Sequence, residues 1–376
     1  MDRADQALST CTFCPSLCRH ACPVARVEAS DTVTPWGMMS LANHFKLGRV
    51  DGSAEVYDTL SACVGCSSCT AVCLHEVDVA SALVEVKRSL AAMGHAPAAS
   101  GFIAPDLVGA PPVDHPFFES LRVRARYEER PLISLVPGFD VIAHSPGLVH
   151  ALFSICERLD VDALACGELA RLDPGYDAWQ AGHFPAFVEQ ARRFHAATAG
   201  ARDIVVFSPE TLHLLRDVYP RFGLTISAEL LHVAEFLLPL LSGAFVHRLP
   251  ERVTWFTSCH SARHLDLRDI PRQVVRRALE HPIADLPTLH GALGCCGGTG
   301  CGGTASGPAL SDALADEVMA TLADLGVPHL ATFSSECFVS LAHAAERRHA
   351  KSKPTPTVEH GLSVLARAVV RDGGAA

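Results

Sequence analysis

The chain has 376 residues, 49% of them hydrophobic and only 6% aromatic, enough length for two or three globular domains with buried cores. Its 31 basic against 41 acidic side chains leave no cationic face for nucleic acid or anionic lipid. Its 15 cysteines sit in tight clusters within a long chain, which favours bound metal over a disulfide scaffold.

The opening Met1-Asp-Arg-Ala-Asp-Gln lacks the apolar segment of a signal peptide. Next comes Cys11-Thr-Phe-Cys14-Pro-Ser-Leu-Cys18-Arg-His-Ala-Cys22-Pro23, and further on Cys63-Val-Gly-Cys66-Ser-Ser-Cys69-Thr-Ala-Val-Cys73. The second set has the C-x2-C-x2-C-x3-C spacing of bacterial-type ferredoxins, in which three thiols hold one cubane and the fourth reaches the neighbouring cluster. With that crossing, one [4Fe-4S] cluster takes Cys11, Cys14, Cys18 and Cys73, and the other takes Cys63, Cys66, Cys69 and Cys22. The first set carries one extra residue before Cys18, and the second has Leu74 where proline is usual. A pair of structural zinc sites is the alternative, although zinc ribbons use two separated C-x2-C pairs rather than four-thiol runs.

Between the sets, Trp36 to Leu47 reads as a helix. After them Asp78 reads as the N-cap of a helix carrying Val79, Leu83, Val86 and Leu90 on one stripe. Residues 1–95 thus form an α-helical ferredoxin-type domain. The proline- and glycine-rich stretch 96–130 reads as a linker.

Beyond it, strands alternate with helices: strand Leu132 to Val136, helix Gly147 to Leu159, strand Asp203 to Phe207, helix Pro209 to Val218. The pattern recurs with strand Arg252 to Phe256, helices Pro271 to Leu279 and Ser311 to Leu325, strand His329 to Phe333 and helix Cys337 to Arg347. An α/β fold with mostly parallel sheets, built as two repeats over 131–248 and 249–372, is the expectation. The longest apolar run, Phe236 to Val246, is far short of the roughly 20 residues that cross a bilayer. The expected location is cytoplasmic, with peripheral docking on the inner face of the membrane left open.

The second repeat carries the remaining thiols: Cys259 after a strand, Cys295 and Cys296 in a glycine-rich loop with Cys301, and Cys337 after the next strand. Thiols past strand ends can converge where open α/β sheets bind ligands. The order Cys259, Cys295-Cys296-Gly297, Cys337, with Ser258-Cys259-His260-Ser-Ala-Arg263 and Ile270-Pro271-Arg272, resembles the cysteine-rich, or CCG, domain of the heterodisulfide reductase family. An eight-cysteine domain followed by two such repeats is similar to the iron-sulfur subunits of heterodisulfide reductase, glycolate oxidase and anaerobic glycerol-3-phosphate dehydrogenase.

The resemblance implies an electron-transfer subunit that works with a flavoprotein dehydrogenase. It also implies a metal site at Cys259, Cys295, Cys296 and Cys337, with Cys301 as a fifth candidate, holding a third iron-sulfur cluster or zinc. Cys295 and Cys296 are the candidate catalytic residues, as a redox dithiol. The pattern departs at Ser334, where the family has a thiol. In the first repeat Phe139, Ala165 and Ser208-Pro-Glu-Thr211 replace the family's cysteines, so no metal site is expected there. Cys156 reads as a core residue.

No G-x-G-x-x-G follows a strand and no P-loop is present, so the chain itself offers no flavin or nicotinamide site. Electrons must therefore come from a partner, and leave to a quinone through a membrane subunit, to a disulfide or to another carrier. The alternative is an iron-sulfur redox or oxygen sensor, or an assembly protein, without turnover.

Overall fold

The computed structural model describes residues 3–97, 115–242, 247–284, 295–298 and 307–369. The chain divides into two compact units. The first comprises Met1–Pro105, Gly175–Val188 and Pro287–Leu322, and the second Asp106–Pro174, Glu189–Leu286 and Ala323–Ala376.

The described part of the first unit is helical. Thr34, Ser53 and Asp78 cap three of its helices, Pro35–Lys46, Ala54–Ser61 and Val79–Ala92, each accepting a backbone N–H of the first turn. Capped in this way, the helices bury one stripe apiece. Leu8, Met38, Met39, Tyr57, Leu60, Leu83, Val86 and Leu90 make a single core. The segment Gly175–Val188, distant in sequence, belongs to this unit for a physical reason. The Tyr57 hydroxyl donates to the carbonyl of Ala181 at 2.8 Å, and the Arg88 guanidinium lies 4.6 Å from the centre of the Phe184 ring.

The second unit holds two sheets, both parallel. β1 (Ile133–Val136), β2 (Leu164–Cys166), β3 (Asp203–Val206) and β4 (Glu229–His232) are ordered β2-β1-β3-β4. β5 (Thr254–Trp255), β6 (His329–Thr332) and β7 (Thr357–His360) are ordered β5-β6-β7, with Ala284 bridging to Thr254 on the free side of β5. Every residue of β1 and β3 is buried, as strands of a parallel sheet covered on both faces must be.

The chain read as a linker differs in part. Among its described residues a helix, Pro116–Val123, buries Phe117, Phe118 and Leu121 in the core of the second unit. The helix expected over Pro209 to Val218 is α-helical only to His213 and widens into a π turn over Leu214–Val218. Pro220, which has no N–H to continue the ladder, follows at once. Cys156 is fully buried among Leu148, Leu152 and Phe153, and burial pushes its thiol up to about 12. Among the described residues no helix is long and apolar enough to cross a membrane.

The last strand of each sheet ends on a histidine that caps the next helix. His232 Nδ1 accepts the Ala234 N–H at 3.2 Å while its other nitrogen meets the Phe207 carbonyl at 3.1 Å, and His360 Nδ1 accepts the Leu362 N–H at 3.2 Å. Each cap needs a neutral ring, because a proton on Nδ1 would abolish the acceptor. Both rings are fully buried, and burial pushes His232 down to about 4 and His360 down to about 3. The unfolded chain, with histidine near 6.5, therefore binds more protons than the folded one below that pH, and stability falls as pH drops. Urea unfolding is expected to show ΔG declining between about pH 6.5 and 4, by up to roughly 3 kcal/mol for His232. His232→Asn, which keeps an acceptor, should flatten that decline, and an unchanged slope contradicts the assignment.

Candidate metal centres

In the first unit the N-terminal thiols are coupled electrostatically across the two motifs. Cys11 is pushed up to about 12, first by burial and then by the charges of Cys18, Cys14 and Cys73. Cys22 is pushed up to about 12 by burial and by Cys66 and Cys63, and Cys69 well up by burial, Cys66, Cys63, Cys22 and Cys18. The coupling thus crosses between the motifs, from Cys11 to Cys73, from Cys22 to Cys63 and Cys66, and from Cys69 to Cys22 and Cys18. Thiols this buried and this close repel one another as thiolates. A cation at the centre of each group reverses that, and four sulfur donors are the set that iron-sulfur cubanes take. The residues present fit such a group.

Local backbone makes this possible. Gly65, between Cys63 and Cys66, has φ +66°, and a Cβ there would stand 2.8 Å from Gln180 Nε2, so the loop needs glycine. The Ser67 backbone, at φ 54°, turns the chain again before Cys69. The Cys66 thiol donates to Ser68 Oγ at 3.4 Å.

The two groups differ in surroundings. Cys22, Cys66 and Cys69 are buried, and two cations stand beside their group. Lys87 is 2% exposed, and burial lowers it to about 8 while Cys63 opposes that shift. Arg26 is held by Glu317 through two hydrogen bonds, at 2.9 and 3.1 Å, and feels the charges of Cys22 and Cys66. By contrast, Cys14, Cys18 and Cys73 are half-buried, and Phe13, Leu17, Val72 and Leu74 beside them in the chain are exposed, Leu74 to 90%.

Cys295 and Cys296 are also in the first unit, both buried. The Gly297 N–H points to Cys295 Sγ at 3.4 Å, and Gly297 itself, at φ +70°, presses on the Ser311 backbone so closely that no side chain fits. Cys301 lies outside the described residues.

The second unit holds Cys259 and Cys337, both buried. Cys259 opens a π turn, His260–His264, after β5. Its sulfur lies 3.4 Å from His260 Nδ1, and the same nitrogen lies 3.0 Å from Glu210 Oε1. Glu210 comes from the turn Ser208-Pro-Glu-Thr211 after β3, where the Ser208 hydroxyl caps the helix by accepting the Thr211 N–H and donates to Glu210 Oε2 at 3.2 Å. The turn after β6 repeats this. Ser334 accepts the Cys337 N–H and donates to Glu336 Oε2 at 3.1 Å. A hydroxyl at 334 is therefore engaged as a helix cap.

Burial works against the charges here, yet the Glu210 carboxylate and the Cys259 sulfur hold His260 protonated well above its ordinary range, and His260 in turn holds Glu210 down. Glu336 is driven well up by burial and by Glu210, which makes it a protonated donor beside that carboxylate. Sequence reasoning misses Glu210. Its signal is the Ser-x-Glu spacing shared by the two turns, which on the sequence alone reads only as lost cysteines.

Residues 7–77 match the model of a 4Fe-4S dicluster domain, and residues 253–342 match that of a cysteine-rich domain. The chain is 26% identical over 102 residues to the probable iron-sulfur-binding oxidoreductase FadF of Bacillus subtilis, covering 26% of this chain and 14% of that protein. It is 29% identical over 118 residues to lactate utilization protein A of Anoxybacillus flavithermus, covering 31% and 46%. The match thus spans less than half the length of either relative. To one of the subunits of the CoM/CoB fumarate reductase of Methanothermobacter marburgensis it is 24% identical over 354 residues, covering 90% and 68%.

The buried lysine makes the two thiol groups electrically unequal. For a cluster held beside Lys87 by Cys63 and its neighbouring thiols, Lys87→Met is expected to lower the reduction potential by on the order of 50 mV, because reduction adds negative charge beside a lost cation. An EPR-monitored redox titration reads it. No change, or a rise, contradicts the placement of that charge.

Proposed function

We propose that this chain, which carries a 4Fe-4S dicluster domain and a cysteine-rich domain, is the electron-carrying subunit of an oxidoreductase complex. It takes electrons from a flavoprotein dehydrogenase and passes them, through two [4Fe-4S] clusters and a C-terminal cysteine site, to a quinone, a disulfide or another carrier. The observation that carries the reading is the grouping of the eight N-terminal thiols, each group drawing on both motifs. Clusters held in this way supply one-electron transfer; the chain's own part is to hold, space and shield them. Cys11, Cys14, Cys18 and Cys73 hold one, and Cys22, Cys63, Cys66 and Cys69 the other.

The two α/β halves are read as a duplicated unit. In support, both sheets are parallel with a common strand order, both contain the Ser-x-Glu turn, and both end on a capping histidine. The C-terminal thiols Cys259, Cys295, Cys296 and Cys337, with Cys301, are assigned to a third centre, iron-sulfur or zinc, with Cys295 and Cys296 as its redox-active pair. Burial of the four described thiols and the cysteine-rich domain match support this.

Exchange with the partner runs through the half-buried thiol group, beside which Phe13, Leu17 and Leu74 offer apolar surface for docking. The test is purification from the native host without oxygen. A flavoprotein should come down with the chain and reduce it on adding that flavoprotein's substrate, and Leu74→Asp should weaken the association at least tenfold. A chain that purifies alone and is reduced by no flavoprotein is a sensor, and the proposal fails.

A further inference from the structure

Three donors of different kinds meet inside the second unit: the Glu210 carboxylate, the Cys259 sulfur and His260 Nδ1, all within 4.8 Å of one another and all buried. One nitrogen faces both neighbours, the oxygen at 3.0 Å and the sulfur at 3.4 Å. A proton relay from carboxylate through imidazole to thiol would use opposite ring nitrogens, one for each partner. A single N–H meets both only as a weaker bifurcated donor, whereas an ion between the three atoms bonds directly to each. Tetrahedral zinc, with bonds of about 2.3 Å to sulfur and about 2.0 Å to nitrogen and oxygen, sets sulfur and nitrogen roughly 3.5 Å apart and nitrogen and oxygen roughly 3.3 Å apart. The observed spacings lie close to both.

The geometry points to a site for one divalent transition-metal ion of the zinc class, held by Glu210, Cys259 and His260 and distinct from a cluster held by cysteines alone. The inference deepens the reading of a third centre and rests on it, while changing the donor set. Charge is consistent with it: with the His260 proton released on binding, one carboxylate, one thiolate and a neutral imidazole around a doubly charged ion sum to zero, leaving no net charge to bury. So does the surrounding shell. Ser208 Oγ fixes the outer oxygen of Glu210 at 3.2 Å, and carboxylate ligands are commonly oriented by such bonds. The supporting backbone is a π turn, a form that recurs at functional sites. Three protein ligands leave one of zinc's four positions open to an exogenous ligand. The turn that reads as having lost its cysteines thus supplies an oxygen in place of sulfur.

The test is metal and acid-labile sulfide analysis of the full chain, wild type and with Glu210→Gln or Cys259→Ser, together with cobalt(II) exchange and absorption spectra. The wild type is expected to hold about one metal ion beyond the iron matched by sulfide. Both variants should lose that ion and keep the iron and sulfide, which reports an intact fold in the first unit. The thiolate-to-cobalt band should vanish in Cys259→Ser, the d–d bands should weaken or shift in Glu210→Gln, and Glu210→Asp should restore the ion in part. An extra ion and cobalt spectrum unchanged in Glu210→Gln overturn this inference and leave a third centre standing. A wild type with about four further irons and matching sulfide overturns it in favour of a third cluster. A wild type with no extra metal of any kind sinks the inference and the third centre together.

Discussion

Eight thiols in one small helical unit, four of them buried and four half-buried, are unfavourable for a protein on its own. Burial and mutual repulsion push Cys11 and Cys22 up to about 12, a cost that a bound cation offsets. A cluster that drew on both motifs would join segments that begin some 50 residues apart, with the helices Pro35–Lys46 and Ala54–Ser61 between them in the chain. Binding energy for a cluster is therefore also folding energy for the helical unit. The caps at Thr34, Ser53 and Asp78 and the core around Met39, Tyr57 and Leu83 fix where the thiols meet.

The second unit solves a different problem, placing polar groups in an apolar α/β core. Its buried carboxyl groups, Glu210 and Glu336, each follow a serine that caps a helix, and its buried histidines, His232 and His360, are themselves caps. Each of these four has a hydrogen-bond partner in its own turn, which helps the parallel sheets tolerate them, while the buried His260 is met by Glu210 from another turn. Where one turn comes near the Cys259 turn, the same chemistry offers a carboxylate to a thiol and an imidazole.

Much of this was legible in the sequence. The thiol spacing of Cys63 to Cys73 carries the ferredoxin reading, and the alternation of apolar runs with helices carries β1, β3, β5 and β6 to within a residue or two, whereas the short strands β2, β4 and β7 are not read from the sequence. Asp78 was readable as a cap because a short acidic side chain before an apolar stripe has few other uses. Less visible was whatever depends on distant chain meeting. Nothing local marks Gly175–Val188 as part of the helical unit, since its attachment rests on the Tyr57 hydroxyl finding the Ala181 carbonyl. Phe117 and Phe118 sit among prolines that mask their core role, and Glu210 acquires meaning only beside His260.

The central claim, that paired thiol groups cage iron with inorganic sulfide and carry single electrons, meets its most direct test in EPR of the dithionite-reduced chain purified without oxygen, with spins counted against iron. The account predicts about eight irons with matching sulfide in two S = 1/2 centres whose signals broaden each other, as neighbouring clusters do. A colourless, EPR-silent chain with zinc in its N-terminal thiols would contradict it.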